Sequence, residues 1–170
     1  LGNSAAITGI APVQALPTTA ASFVLWNLDA AKTAFIETIG VYITSGTAGA
    51  GGYLLGAVVG KPATGIVGVT YAGTAITNAN PSSAQTSKVI VKASATIAEP
   101  AAPNWFLIGE NHSPNVGAFP GGGSIVNRDV AGGIAIPPGY GLALSYVGLA
   151  GTTPLFAPVA EWFELESDNG

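Results

Sequence analysis

A chain of 170 residues is of one-domain length and can bury about two-thirds of the surface it exposes when unfolded. Its five basic and nine acidic residues make up 8% of it, against about 25% in an ordinary soluble domain, and its mean hydropathy is +0.48. The bases (Lys32, Lys61, Lys88, Lys92, Arg128) are scattered and the net charge is −4, which argues against a nucleic-acid partner; the absence of Cys excludes disulfides and thiolate metal sites.

In chain order, residues 1–18 mix Gly, Ala, Pro and Thr with isolated Ile7, Ile10, Val13 and Leu16. Pro12 and Pro17 would interrupt a strand ladder, so this stretch reads as an extended N-terminal arm, and residues 19–167 as one β domain. "ASFVLWN" (21–27) is a first strand, with Phe23, Leu25 and Asn27 on one face and Val24 and Trp26 on the other. "LDAAK" turns. "TAFIETIGVYIT" (33–44) is the longest β-rich run. In strict alternation it sets Phe35, Glu37, Ile39, Val41 and Ile43 against Ala34, Ile36, Thr38, Gly40 and Tyr42, apolar on both faces, so it belongs in the middle of a sheet or under cover on both sides.

After the loop 45–52, Tyr53–Val59 and Thr64–Tyr71 flank Gly60-Lys61-Pro62 as a hairpin candidate. The nearest thing to a membrane span, 52–70, is cut by Lys61-Pro62, and its Gly and Val suit strands; no spanning helix is expected. A polar loop (78–86) leads to 87–98, where Lys88, Ile90 and Lys92 oppose Val89 and Val91. Two lysines on one face fit an edge strand. "NWFLIG" (104–109) reads as a short buried strand, and 110–123 is the longest irregular segment. Short strands follow at 124–130 and 133–136, then Pro137-Pro138-Gly139, which holds the chain extended and then permits a sharp turn. Strands at 141–148 and 155–165 close the chain. In the last, Phe156, Ala160 and Trp162 share a face opposite Val159, Phe163 and Leu165, and Pro158 marks an edge or a bulge. Eight to ten short strands with Gly/Pro turns and no amphipathic helix predict an all-β fold, a jelly-roll-like antiparallel β-sandwich.

Chemistry is thinly provided. His112 is the only histidine and has no second ligand nearby; a triad assembled from Ser113, His112 and Asp129 lacks any nucleophile elbow. Glu161 and Glu164, three apart on a strand, point to opposite faces and do not make a glycosidase pair. Gly121-Gly122-Gly123 is not followed by the Lys-Ser/Thr of a phosphate loop. No enzyme, cofactor or metal is expected. Trp26, Trp105 and Trp162 read as core anchors, whereas Phe119 and Tyr140, beside Gly and Pro, read as contact residues together with His112.

The stretch "GGIAIPPGYGLALSYVGLAGTTPLFAPVAEWFELE" (132–166) resembles the C-terminal end of small structural proteins of tailed bacteriophages, with an "I-x-I-P-P-G" corner before the penultimate strand and a "W-x-E" in the last. "VLWNLDAAKTAFIETIGVYITSG" (24–46) is similar to their early part, an "L-[YW]-N" strand, a turn and a long strand ending in Ser-Gly. The resemblance covers about two-thirds of the chain. It implies a jelly-roll capsid decoration (cement) or accessory protein on the virion surface, often a trimer, touching the major capsid protein or another virion protein; in that role Ile7, Ile10, Val13 and Leu16 of the arm would reach over a neighbour. Two alternatives stand beside it: a receptor- or glycan-binding fibre head or adhesin working through Trp105, His112 and Phe119, and a subunit of an extracellular filament.

Overall fold

The computed structural model describes residues 9–47, 49, 51–60, 76–77, 86–97, 100–111, 124–148 and 151–167. Ten strands account for most of them: β1 (Ala20–Asn27), β2 (Lys32–Thr47), β3 (Gly52–Val59), β4 (Ile76–Thr77), β5 (Thr86–Ser87), β6 (Val89–Thr96), β7 (Phe106–Asn111), β8 (Ser124–Ile136), β9 (Gly141–Gly148) and β10 (Thr152–Glu166). They form a five-stranded sheet in the order β6-β1-β9-β3-β7, a three-stranded sheet in the order β10-β2-β8, and a small β4-β5 pair, with every strand pairing antiparallel. The two larger sheets pack face to face, so the molecule is an all-β sandwich, and no helix occurs among the described residues.

The partners are nested in sequence: β1 pairs with β9, β2 with β8, β3 with β7, and β4 with β5. β6 and β10 add to the outside, against β1 and β2. The hairpin candidate's turn and second strand (61–75) lie outside the described residues. So does the loop 78–85.

Alternation explains what is buried. Phe23 and Leu25 of β1, Leu54 of β3, and Leu142, Leu144 and Tyr146 of β9 face Ile36, Ile39, Val41 and Ile43 of β2, Val126 and Ile136 of β8, and Phe156 of β10. The Tyr146 and Phe156 rings meet across the two sheets at 4.5 Å. A second cluster on the outer side of the five-stranded sheet gathers Val24, Trp26, Ala57, Val59, Ile90, Ile97 and Ala143, with Leu28 and Trp105 against it. Trp105 also donates its Nε1–H to the Thr18 carbonyl at 3.0 Å. β2 is central, and β6 and β10 are edges, as their lysines and Pro158 lead one to expect.

Three expectations are corrected. The runs 124–130 and 133–136 are one strand, β8, interrupted by a bulge in which Ala131 (φ 47°) and Gly132 (φ 75°) take left-handed conformations. The 104–109 strand begins at Phe106 and is an exposed edge, with Leu107 55% accessible. Strict alternation along β2 fails because Glu37 is an extra residue. Trp162 pairs with Ile36 and Glu161 with Thr38, so Ala34 and Ile36 point inward on one side of the bulge and Ile39, Val41 and Ile43 on the other.

Pro137–Tyr140 is a turn closed by the Tyr140 N–H donating to the Pro137 carbonyl at 3.0 Å. Pro138 at its second position and Gly139 (φ 76°) at its third are the residues a type II turn requires. This turn carries the chain from β8 in one sheet to β9 in the other. Asn27, 1% accessible, ties it down. Its Nδ2 donates to the carbonyls of Lys32 (2.7 Å) and Ile136 (2.9 Å), its Oδ1 accepts from the Asp29 N–H (3.0 Å), and its main chain exchanges bonds with Gly139 and Tyr140. Asn27→Ala strands the buried Ile136 carbonyl and, half-buried, the Lys32 carbonyl and the Asp29 N–H. It is expected to lower stability by about 2–4 kcal/mol in urea unfolding, with the β-rich circular dichroism of the folded state retained.

Candidate interaction surface

The described part of the arm lies on its own chain. Ile10 exchanges two main-chain hydrogen bonds with Phe156, both 2.8 Å, and its side chain packs on the core. Val13 donates to the Tyr146 carbonyl and accepts from the Gly148 N–H, each at 3.0 Å, running beside β9 beyond the end of its β1 pairing. Gly9 is there because a side chain would collide with Thr44 and Leu155. Leu16 is 76% exposed. Ile7, His112 and Phe119 lie outside the described residues; of the three residues of the glycan-binding alternative only Trp105 is described, packed against the outer cluster of the five-stranded sheet.

Tyr140 is exposed at the turn entering β9, while Val13 pairs near that strand's far end, roughly 20 Å away at strand rise. The structure therefore does not bring Tyr140 together with the arm residues. Beside Tyr140 an open depression of about 610 Å³ is lined by Trp26, Leu28, Asp29 and Pro138. Its one carboxylate is already engaged: Asp29 accepts from the Ala31 N–H (2.8 Å) and the Lys32 N–H (3.1 Å) and pairs with Lys88 Nζ at 3.4 Å. Among the described residues no cluster of three His, Asp or Glu could hold a metal ion. Glu161 and Glu164 do diverge. Glu161 accepts from the Thr38 hydroxyl at 3.0 Å, whereas Glu164 meets the Ser87 hydroxyl and, at 3.3 Å, the Trp162 indole N–H.

Two surfaces stand out. One is the β3/β7 margin of the five-stranded sheet, where Tyr53, Val58, Phe106 and Leu107 are exposed. The other is the outer face of the three-stranded sheet. There Phe35 stacks on Phe163, centroids 5.3 Å apart and planes 14° from parallel, beside exposed Leu165, with exposed Val159 further along β10. Between these apolar groups the pairing of Glu161 with Thr38 and of Thr38 with Asp129, together with the bulged Glu37, lays three acids in one row across the sheet. The sequence reading missed this row. The signal was present: a Glu inside the apolar stripe of a central strand is costly unless the strand bulges and turns it outward.

No family model, no curated protein and no solved structure matches the chain.

Hydrogen bonding from Ala31, opposed by burial and aided by Lys32 and Lys88, holds the Asp29 carboxyl below its ordinary value of 3.8. A carboxylate depressed on folding contributes stability that is fully present above its unfolded value and is lost as pH falls through the folded one. Asp29→Ala is expected to cost about 1–2 kcal/mol at pH 7. In urea titrations from pH 7 to 2.5 the gap to the unsubstituted protein should narrow below about pH 4, in the carboxylate range.

Proposed function

We propose that this chain is a virion structural protein of the tailed-bacteriophage kind, a jelly-roll capsid decoration (cement) or accessory protein that associates with copies of itself, as a trimer, on the outside of a shell. The nested order of its pairs supports the jelly-roll reading, because a long antiparallel hairpin rolled into two sheets generates that order. The two stretches on which the phage resemblance rests are in contact, since Asn27 of "L-W-N" bonds the main chain of "I-P-P-G" at Ile136 and Gly139. No helix among the described residues is long and apolar enough to cross a membrane.

The observation that carries the proposal is the apolar β3/β7 margin in a chain so short of charge. Tyr53, Val58, Phe106 and Leu107 stand between 38% and 55% exposed on neighbouring strands. Tyr53 and Leu107 lie toward the face of Leu55, and Val58 and Phe106 toward that of Gly56, so a partner would bury them by covering both sides of the free β7 edge. Large apolar side chains exposed to water favour such burial, and β3 and β7 carry one acid between them, Glu110, so the margin costs little to desolvate. Native mass measurement at micromolar concentration should give three times 16.8 kDa. Leu107→Lys should reduce the mass to that of one chain while the β-rich circular dichroism is unchanged. A single chain at every concentration reached by the unsubstituted protein overturns the self-association.

A further inference from the structure

The outer face of the three-stranded sheet is chemically unlike the β3/β7 margin, and the difference identifies what it is built to meet. We infer that this face docks a different protein, one presenting arginine or lysine side chains between apolar ones, and the inference rests on the assembling role proposed above. Glu37, Glu161 and Asp129 are all exposed and occupy one row, on strands about 4.8 Å apart. They are three of the nine acids in the whole chain. The ion pairs among the described residues lie elsewhere, Lys32 with Glu166 and Lys88 with Asp29. Arg128, next to Asp129, pairs with Ile39, so alternation puts it on the opposite face. Thr38 donates to Glu161, and the Ala131 N–H donates to Asp129 at 2.9 Å; both bonds hold the carboxylates without neutralising them.

Glu161 and Asp129 flank Thr38 from either side with Glu37 beside it, and like charges gathered so closely repel; a cationic partner relieves that cost. The aromatic pair strengthens the case. Phe163 is 40% exposed, its ring stacked on Phe35, with the bulge glycine Gly132 close beneath both. A rigid ring pair beside carboxylates receives a guanidinium by stacking and ion pairing together. A second copy of this chain is the wrong occupant. Two such faces laid on each other set acid row against acid row, and the chain's five bases are not gathered to answer them.

The test uses the full chain and two synthetic probes, an octapeptide alternating Arg and Leu and its Glu–Leu counterpart, with affinity read by biolayer interferometry at 50 and 300 mM salt. The Arg–Leu peptide is expected to bind, at least tenfold more weakly at high salt, and the Glu–Leu peptide not to bind. Glu37→Gln with Glu161→Gln should weaken binding at least tenfold. Glu166→Gln with Asp168→Asn, which removes the same charge from the C-terminal stretch, should change it less than twofold. Phe163→Ser should weaken it at low and high salt alike. Equal loss from the two charge-removing pairs, or no binding of the Arg–Leu peptide, overturns the inference. Native mass measured on the same samples reports self-association separately. A lone chain that binds the peptide keeps this inference and removes the trimer; a trimer that does not bind it does the reverse.

Discussion

One buried carboxamide joins the two layers of this molecule. Asn27 ends β1 in the five-stranded sheet, yet its side-chain N–H groups are spent on carbonyls at the start of β2 and the end of β8, both in the three-stranded sheet. Its main chain holds the turn through which β8 becomes β9. Dispersion and the hydrophobic effect press the sheets together but are indifferent to small slips of one over the other. Hydrogen bonds to a group 1% accessible are not, because each slip would leave a buried donor or acceptor unpaired. The register of the sandwich at this end is therefore set by polar chemistry, and the apolar core fills in around it. Asp29, held by the Ala31 and Lys32 N–H groups, and Lys88 across from it extend the same device to the beginning of β6.

The fold class was legible because it depends on local patterns that survive in one dimension. Period-two alternation in 21–27 and 141–148, turn residues at Pro138-Gly139, and lysines on one face of 87–98 each have a direct structural consequence, and each is found. What was not legible arose where two strands disagree in length. Within 33–44 the one hint that Glu37 is extra is a carboxylate in an apolar stripe; the register itself follows from Glu161 and Trp162 of β10, more than a hundred residues away, meeting Thr38 and Ile36. The β8 bulge has the same origin. Six residues of β8, Asp129 to Ile134, span what the three from Thr38 to Ile36 cover in β2, and the surplus loops out at Ala131-Gly132. Because those bulges set the acid row and the aromatic pair on one face, the most distinctive surface of the molecule was the part the sequence hid. The arm illustrates a second limit. Isolated apolar residues among prolines read as an element reaching outward, but Ile10 and Val13 find main-chain partners on β10 and β9 of their own chain, which no periodicity in 1–18 could announce.

The edges of the sheets bear on how such a chain assembles. Growth by strand addition needs a bare, straight edge offering both donors and acceptors. The β6 edge carries Lys88 and Lys92 and a kink at Ser94, whose φ is 53°. The β10 edge is bonded by Ile10 at Phe156, includes Pro158 with no N–H to give, and shifts register three times. These two edges are thus poor templates for an open filament; β7 and β8 form the other edges of the two sheets. Association by faces and margins is a different matter, because it buries side chains and leaves the ladders untouched. An apolar margin at β3/β7 and an acid–aromatic face on the other sheet are two unlike surfaces on one small body, and unlike surfaces suit unlike partners; in the assembly proposed above, the first would meet a copy of the chain and the second a different protein that presents cations. With few charges elsewhere to compete, the sites of those encounters are defined mainly by where the bulges have put the acids.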